Sequence, residues 1–302
     1  MTPVTKRGLV CAVAAYVLWG GFPIYFKAVA SVPPAEVLAH RIIWTLVMAA
    51  IGVIVTGDWS ALRLLVARRR RLLLLVATAT MLTLNWLTYI WAVGAGHAID
   101  AGLGYFICPL MSVLLAAVIL RERLSAGQLV GILCVTAGVL WQILAVGEIP
   151  WIALILAMTF SLYGLGRKVL ALPAMPGLFA ETLVMAPLAL GYVIWVEAAG
   201  TGHFINGDWH WRGLLLLAGP ISGIPLLFFA AGANRLNLRT LGLLQYLNPT
   251  MQLLLALFLF KEQIQPGQAV TFGLIWLGLA VYSTLPWLIG RRRPIPERIT
   301  QD

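Results

Sequence analysis

Residues 101–131, AGLGYFICPLMSVLLAAVILRERLSAGQLVG, return as residues 241–271, LGLLQYLNPTMQLLLALFLFKEQIQPGQAVT. Laid over each other without a gap at an offset of 140, the windows 101–142 and 241–282 share Gly102/Gly242, Pro109/Pro249, Met111/Met251, Leu114/Leu254, Leu115/Leu255, Ala116/Ala256, Glu122/Glu262, Gly127/Gly267, Gln128/Gln268, Val130/Val270 and Gly138/Gly278. Matches at Leu and Ala are expected between any two apolar segments. The common register of Gly, Pro, Glu and Gly-Gln is not, and it marks a duplicated unit.

Composition says in what solvent that unit folds. The chain is 61% hydrophobic and 11% charged, against about a quarter charged in soluble domains. Ten runs, near 8–29, 35–56, 72–93, 101–120, 127–146, 150–166, 177–196, 213–233, 240–260 and 269–289, are long and apolar enough to span a bilayer. The expected fold is all-α and integral to the membrane. Five runs precede residue 147 and five follow. The expected domains are 8–146, 150–289 and a basic tail, 290–302. Cys11, Cys108 and Cys134 lie inside apolar runs and form no CxxC pair. Lys6, Arg7 and Ala28-Val29-Ala30 resemble a cleavable leader, but the run between them is long for one and contains Pro23.

Charge sets the orientation. With the N-terminus cytoplasmic, the inner segments hold 17 of the 21 basic residues, leaving Lys27, Arg41, Arg212 and Lys261 toward the other side. Both termini are then cytoplasmic. The net charge of +10 is the sum of these loop charges. It suits anionic lipid headgroups and calls for no nucleic acid. The run Trp59–Arg71 reads as a topology anchor, or as a short interfacial helix. A unit with an odd number of spans inserts its second copy upside down. The expectation is therefore ten transmembrane helices in two inverted five-helix repeats, with a solute site between the repeats near mid-bilayer.

The repeated Cys/Asn-Pro, the Glu at the span end and the following Gly-Gln resemble the EamA-type unit of the drug/metabolite transporter superfamily. Finer strings resemble its chloramphenicol-sensitivity branch. These are Tyr16 with Trp19-Gly20 and Tyr25-Phe26-Lys27; His40-Arg41 with Trp44; Asn85-Trp86 with Ile90-Trp91; Leu103-Gly104-Tyr105-Phe106; Tyr163-Gly164-Leu165 with Arg167-Lys168; and Gln245-Tyr246. The resemblance covers residues 7–290 and implies carriage of a small metabolite or drug-like solute across the bacterial inner membrane. It departs at Cys108-Pro109, where Asn-Pro is expected; Asn248-Pro249 keeps the pattern.

Polar groups inside spans are costly and are functional candidates by default. Arg41 is an anion site, or snorkels to the interface. His40 beside it is a titrating group or a packing residue. Glu181, equivalent to Arg41 by the repeat, carries a proton, or pairs with Arg167 or Lys168. Proton coupling is thus considered at Glu181 or His40. Lys27 is expected to pair with Glu36. Glu122 and Glu262 are expected to cap following helices. Trp19, Asn85, Trp86, Tyr89, Tyr105, Tyr163, Gln245, Tyr246 and Asn248 suit a pocket for a moderately apolar solute. Trp151, Trp209, Trp211 and Trp287 read as interface residues. Pro109 and Pro249 are the expected hinges of an alternating-access carrier. Gly127, Gly131 and Gly138 are expected at close helix contacts. No HExxH, GxSxG or P-loop occurs, so no cofactor, metal or direct use of ATP is expected, and the chain does not read as an enzyme. A channel or a non-transporting membrane partner is the alternative.

Overall fold

Inside a bilayer every backbone N–H and C=O must be paired within the chain, so long apolar segments become helices. The computed structural model describes residues 3–59, 62, 69–121, 123–233, 235–236 and 238–290. Glu122, most of the Trp59–Arg71 run and the tail beyond residue 290 lie outside them. The described residues form α1 (Pro3–Gly20), α2 (Phe22–Ala28), α3 (Pro34–Thr56), α4 (Arg69–Gly94), α5 (Ala98–Ile119), α6 (Ala126–Trp141), α7 (Trp151–Leu170), α8 (Ala174–Ala198), α9 (Trp209–Ala233), α10 (Leu238–Leu244), α11 (Leu247–Leu254) and α12 (Pro266–Gly290). A π turn prolongs α6 over Gln142–Val146 and α11 over Leu255–Leu259. Ten stretches among them are long and apolar enough to cross a membrane. They fall where the ten runs were expected.

Two spans are interrupted. Gly21 separates α1 from α2, and Pro23 sits in the first turn of α2, where a missing N–H costs nothing. Gln245 and Tyr246 form a turn between α10 and α11. Pro249 follows in the first turn of α11. Its repeat counterpart Pro109 instead lies inside the continuous α5. The two prolines therefore occupy different backbone contexts.

The chain divides into two compact units, 1–108 with 151–264, and 109–150 with 265–302. The division passes through α5 at the Cys108–Pro109 bond. In the first unit α3 packs along α8, α1 along α9 and α4 along α7, with α9 also against α3. The first span of each copy thus lies on the third span of the other. At Gly232 the absence of a side chain lets α9 approach Ala12 of α1: a Cβ there would stand 2.9 Å from the Ala12 Cβ.

In the second unit α6 packs against α12. A Cβ on Gly131 would stand 3.1 Å from the Gly278 carbonyl oxygen, and one on Gly138 3.3 Å from that of Thr271. Thr271 is the repeat counterpart of Gly131, and Gly278 of Gly138. Each contact is therefore the image of the other under exchange of the copies, as at a two-fold interface. The pairing 131–278 and 138–271 also runs antiparallel. Thr271 Oγ1 donates to the Gly138 carbonyl at 3.2 Å, sealing the approach.

The repeat signature has a local structural meaning. Arg121 and Lys261, 140 residues apart, both take the left-handed conformation at φ 57°, ending the fourth and ninth spans. Gln128 Oε1 accepts from Ser125 N at 2.8 Å, and Gln268 Oε1 from Gln265 N at 3.0 Å. The Gly-Gln of each copy therefore carries the amide that caps the next helix. Glu262 accepts from Ala98 N (3.1 Å) and Ile99 N (2.9 Å), satisfying the first turn of α5. A carboxylate also suits the positive end of that helix.

Candidate functional site in the first unit

Arg41 sits about two turns into α3 and is buried at 4% exposure. The snorkelling alternative is therefore excluded: the guanidinium faces protein. Nε donates to Ser222 Oγ on α9 at 2.9 Å. Among the described residues this is the guanidinium's one hydrogen bond. The group lies 3.9 Å over the ring of Trp86, with Phe26 at 5.2 Å and Phe22 at 5.4 Å. Three π faces hold the cation but accept none of its remaining N–H donors. A guanidinium has five donors and never deprotonates in proteins, so four stay available for an acceptor.

The aromatic wall continues from there. Phe26 meets Tyr89 edge-on at 5.6 Å, and Tyr89 meets Tyr105 at 5.5 Å. The Tyr89 hydroxyl is buried and has no hydrogen-bond partner among the described residues. Tyr105 donates to Asn85 Oδ1 at 3.1 Å. Asn85 Nδ2 donates to the Leu156 carbonyl and to Thr159 Oγ1, each at 3.1 Å. Asn85 is one of the polar mid-span residues expected to line the pocket. The structure shows its amide engaged at both ends, joining α4, α5 and α7 and holding Tyr105 in place.

Trp86 and Tyr163 pack against one buried cluster, Ala49, Leu82 and Leu178. From there Tyr163 donates to Glu181 Oε2 at 3.2 Å, and Arg167 Nη1 lies 3.6 Å from Glu181 Oε1. Of the two readings for Glu181, the ion pair with Arg167 is the one observed. Trp19 belongs to a different neighbourhood, meeting Tyr16 edge-on at 5.7 Å and Phe229 at a tilt at 5.5 Å, near Leu241. Gln245, Tyr246 and Asn248 lie at the break in the ninth span. Asn248 Oδ1 accepts from Gln252 Nε2 at 2.7 Å within that segment. The sequence candidates thus resolve into the Arg41 wall, the Glu181 pair, the ninth-span break and the Trp19 cluster, with His40 apart from these beside Phe204.

The expected Lys27–Glu36 pair does not form. Glu36 is buried and accepts from His203 N (2.6 Å), with His203 Nδ1 at 2.9 Å. Lys27 lies 5.8 Å over Phe260. Loop residue Phe204 lies tilted over His40 at 4.9 Å and reaches Trp44 at 5.8 Å. Sequence reading missed Ser222, Phe22, Phe204 and Glu197. Ser222 carried a faint signal, a hydroxyl between Pro220 and Pro225 in mid-span. The others looked like ordinary span or loop residues.

The EamA-like transporter family profile matches this chain twice, over residues 6–144 and 149–284. The chain belongs to the EamA-like transporter family. An uncharacterized transporter of Pseudomonas aeruginosa is 38% identical over 96% of this chain and 98% of its own length. Protein RarD of Escherichia coli K12 is 38% identical over 92% of this chain and 94% of its own. The chloramphenicol-sensitive protein RarD of P. aeruginosa is 30% identical over 91% and 93%. One solved crystal structure shares the fold at a TM-score of 0.59 and 21% identity, covering 94% of this chain and 99% of that one. The chain is accordingly a multi-pass membrane protein of a transporter family.

Proposed function

We propose that this EamA-family protein is a secondary carrier of the bacterial inner membrane, built as two inverted five-helix repeats (8–146 and 150–289) with both termini and the 290–302 tail cytoplasmic. The distribution of basic residues supports that orientation. The exchange-symmetric, antiparallel contacts of α6 and α12 support the inversion.

The observation that carries the substrate reading is Arg41: buried in a span, held by one hydroxyl and three rings, with most of its donors unspent. A buried cation of this kind calls for an anionic or strongly accepting partner. The solute is a small amphipathic molecule whose carboxylate or equivalent acceptor docks on Arg41. Its apolar body lies along Trp86, Tyr89 and Tyr105, with the Tyr89 hydroxyl as a further donor. Gln245, Tyr246 and Asn248 belong to the moving gate at the break in the ninth span. Bends at Pro109 and Pro249 alternate the access. Protonation of Glu181 would break its pair with Arg167, which gives a proton gradient a means of driving the cycle.

Counterflow in proteoliposomes tests this. Saturable exchange of labelled aromatic carboxylates, abolished in Arg41→Gln, is the expected result. Chloramphenicol belongs in the same panel as a neutral comparator, because one relative bears its name. Non-saturable flux, or exchange indifferent to Arg41, would contradict the carrier site.

A further inference from the structure

At the start of α3, Glu36 and His40 lie one turn apart and share a face. Glu197, at the end of α8, meets them there. One ligand-capable atom of each of the three lies within 4.8 Å of the others. Glu36 is 1% and His40 2% exposed. Both nitrogens of the His40 ring are buried and, among the described residues, have no hydrogen-bond partner. An imidazole always carries at least one donor or acceptor in need of a partner, and leaving both positions bare in a protein interior is costly. Here the bare nitrogens stand beside two carboxylates.

Those carboxylates are already aimed. Glu36 is fixed by the backbone N–H and ring of His203. Glu197 accepts from the backbone N–H groups of Phe204 (2.8 Å), Ile205 (3.0 Å) and Asn206 (3.1 Å), and from Asn206 Nδ2 at 2.9 Å. Outer bonds that orient ligating groups are a regular part of metal sites. Glu36 keeps a free lone pair on each oxygen. Glu197 would open one by releasing the exposed Asn206 amide.

We propose that Glu36, His40 and Glu197 form a binding site for a divalent transition-metal ion of the zinc class, with water completing the coordination. One imidazole nitrogen and two carboxylate oxygens make a donor set that zinc takes readily. The two negative charges balance the dication, and the metal supplies the partner that the His40 ring lacks. Ligands about 2.0–2.2 Å from a tetrahedral zinc lie roughly 3.4 Å from one another. Loading therefore draws the three groups closer by up to about 1.4 Å. The bound ion ties α3, α8 and the 199–208 loop together at one end of the first unit, pinning Phe204 over His40 and Trp44. It would act as a staple on that end of the carrier, separate from solute binding at Arg41.

Metal binding is read without transport. Full-length protein in detergent, stripped with chelator, is titrated with Zn²⁺ and separately with Co²⁺. One equivalent of zinc should raise Tm, and cobalt should give a visible ligand-field band. Both effects should vanish in His40→Phe and persist in His210→Ala. His40→Cys guards against a misfolded His40→Phe, because it should retain cobalt and add a thiolate-to-metal charge-transfer band. Absence of any metal effect in the wild-type protein overturns the site. So does an effect that survives in His40→Phe, which would place the ion on the other histidines.

Discussion

Arg41 shows what one side chain's surroundings add to its identity. Depth along the helix was readable from the sequence; the direction in which it pointed was not. Snorkelling and burial differ by a rotation about α3, and only the packing of α3 on α9, with Ser222 opposite, chooses between them. Replacing the guanidinium with Lys keeps a charge but loses the planar stack and the fork. A lost charge-assisted bond is worth about 1.5–3 kcal/mol, so Arg41→Lys should weaken solute binding roughly tenfold to a hundredfold, measured by ligand titration. Asn85 is predicted to behave otherwise. Its bonds go to protein, and such bonds in membranes average about 0.6 kcal/mol each. Asn85→Ala should lower Tm by a few degrees, and any loss of affinity should follow from the displaced Tyr105. An Asn85→Ala variant with wild-type Tm and abolished binding would return Asn85 to direct contact with solute.

At the scale of elements, the repeat was the most legible feature, because Gly, Glu and Gln at fixed spacing do jobs the backbone cannot do alone. Gly131 and Gly278 are sites of close approach. A Cβ on Gly278 would meet the Cys134 Cβ and the Gly131 carbonyl, each at 2.9 Å. Gly278→Ala should destabilise by about 1–3 kcal/mol through overpacking, and Gly138→Ala, with its wider clearance, by less. Glu262 caps α5 across 164 residues of sequence. Its Ala variant should lose about 1.5–3 kcal/mol of charge-assisted bonding. Burial pushes the Glu262 carboxyl above its usual range, against the pull of the two N–H groups and Lys27. The folded state thus holds that proton more tightly than the unfolded chain. The associated stability is complete below about pH 4.5 and is lost as pH rises through the raised value. Glu262→Gln should flatten that part of the Tm-against-pH curve above about pH 4.5; an unchanged curve would assign it to other groups. The prolines were less legible. Equal sequence positions placed Pro109 inside a helix and Pro249 at the start of one, because the break at Gln245-Tyr246 has no counterpart in α5.

For the whole molecule, ten spans and membership of the transporter family follow from hydropathy and from the doubled family match. The grouping of side chains did not follow. Twelve candidates chosen by depth and polarity separated into neighbourhoods that only helix packing defines. Glu197 and Phe204 entered from a span end and a loop that depth-based reasoning passes over, and Glu36 found a partner other than Lys27. The measurement that bears most directly on a carrier centred on Arg41 is thermal stabilisation of purified protein by a matched set of small aromatic solutes, carboxylates against their neutral amides. The carboxylates should raise Tm in proportion to occupancy, the amides should not, and the difference should disappear in Arg41→Gln. Equal stabilisation by acids and amides, or a carboxylate effect that persists in Arg41→Gln, would contradict it.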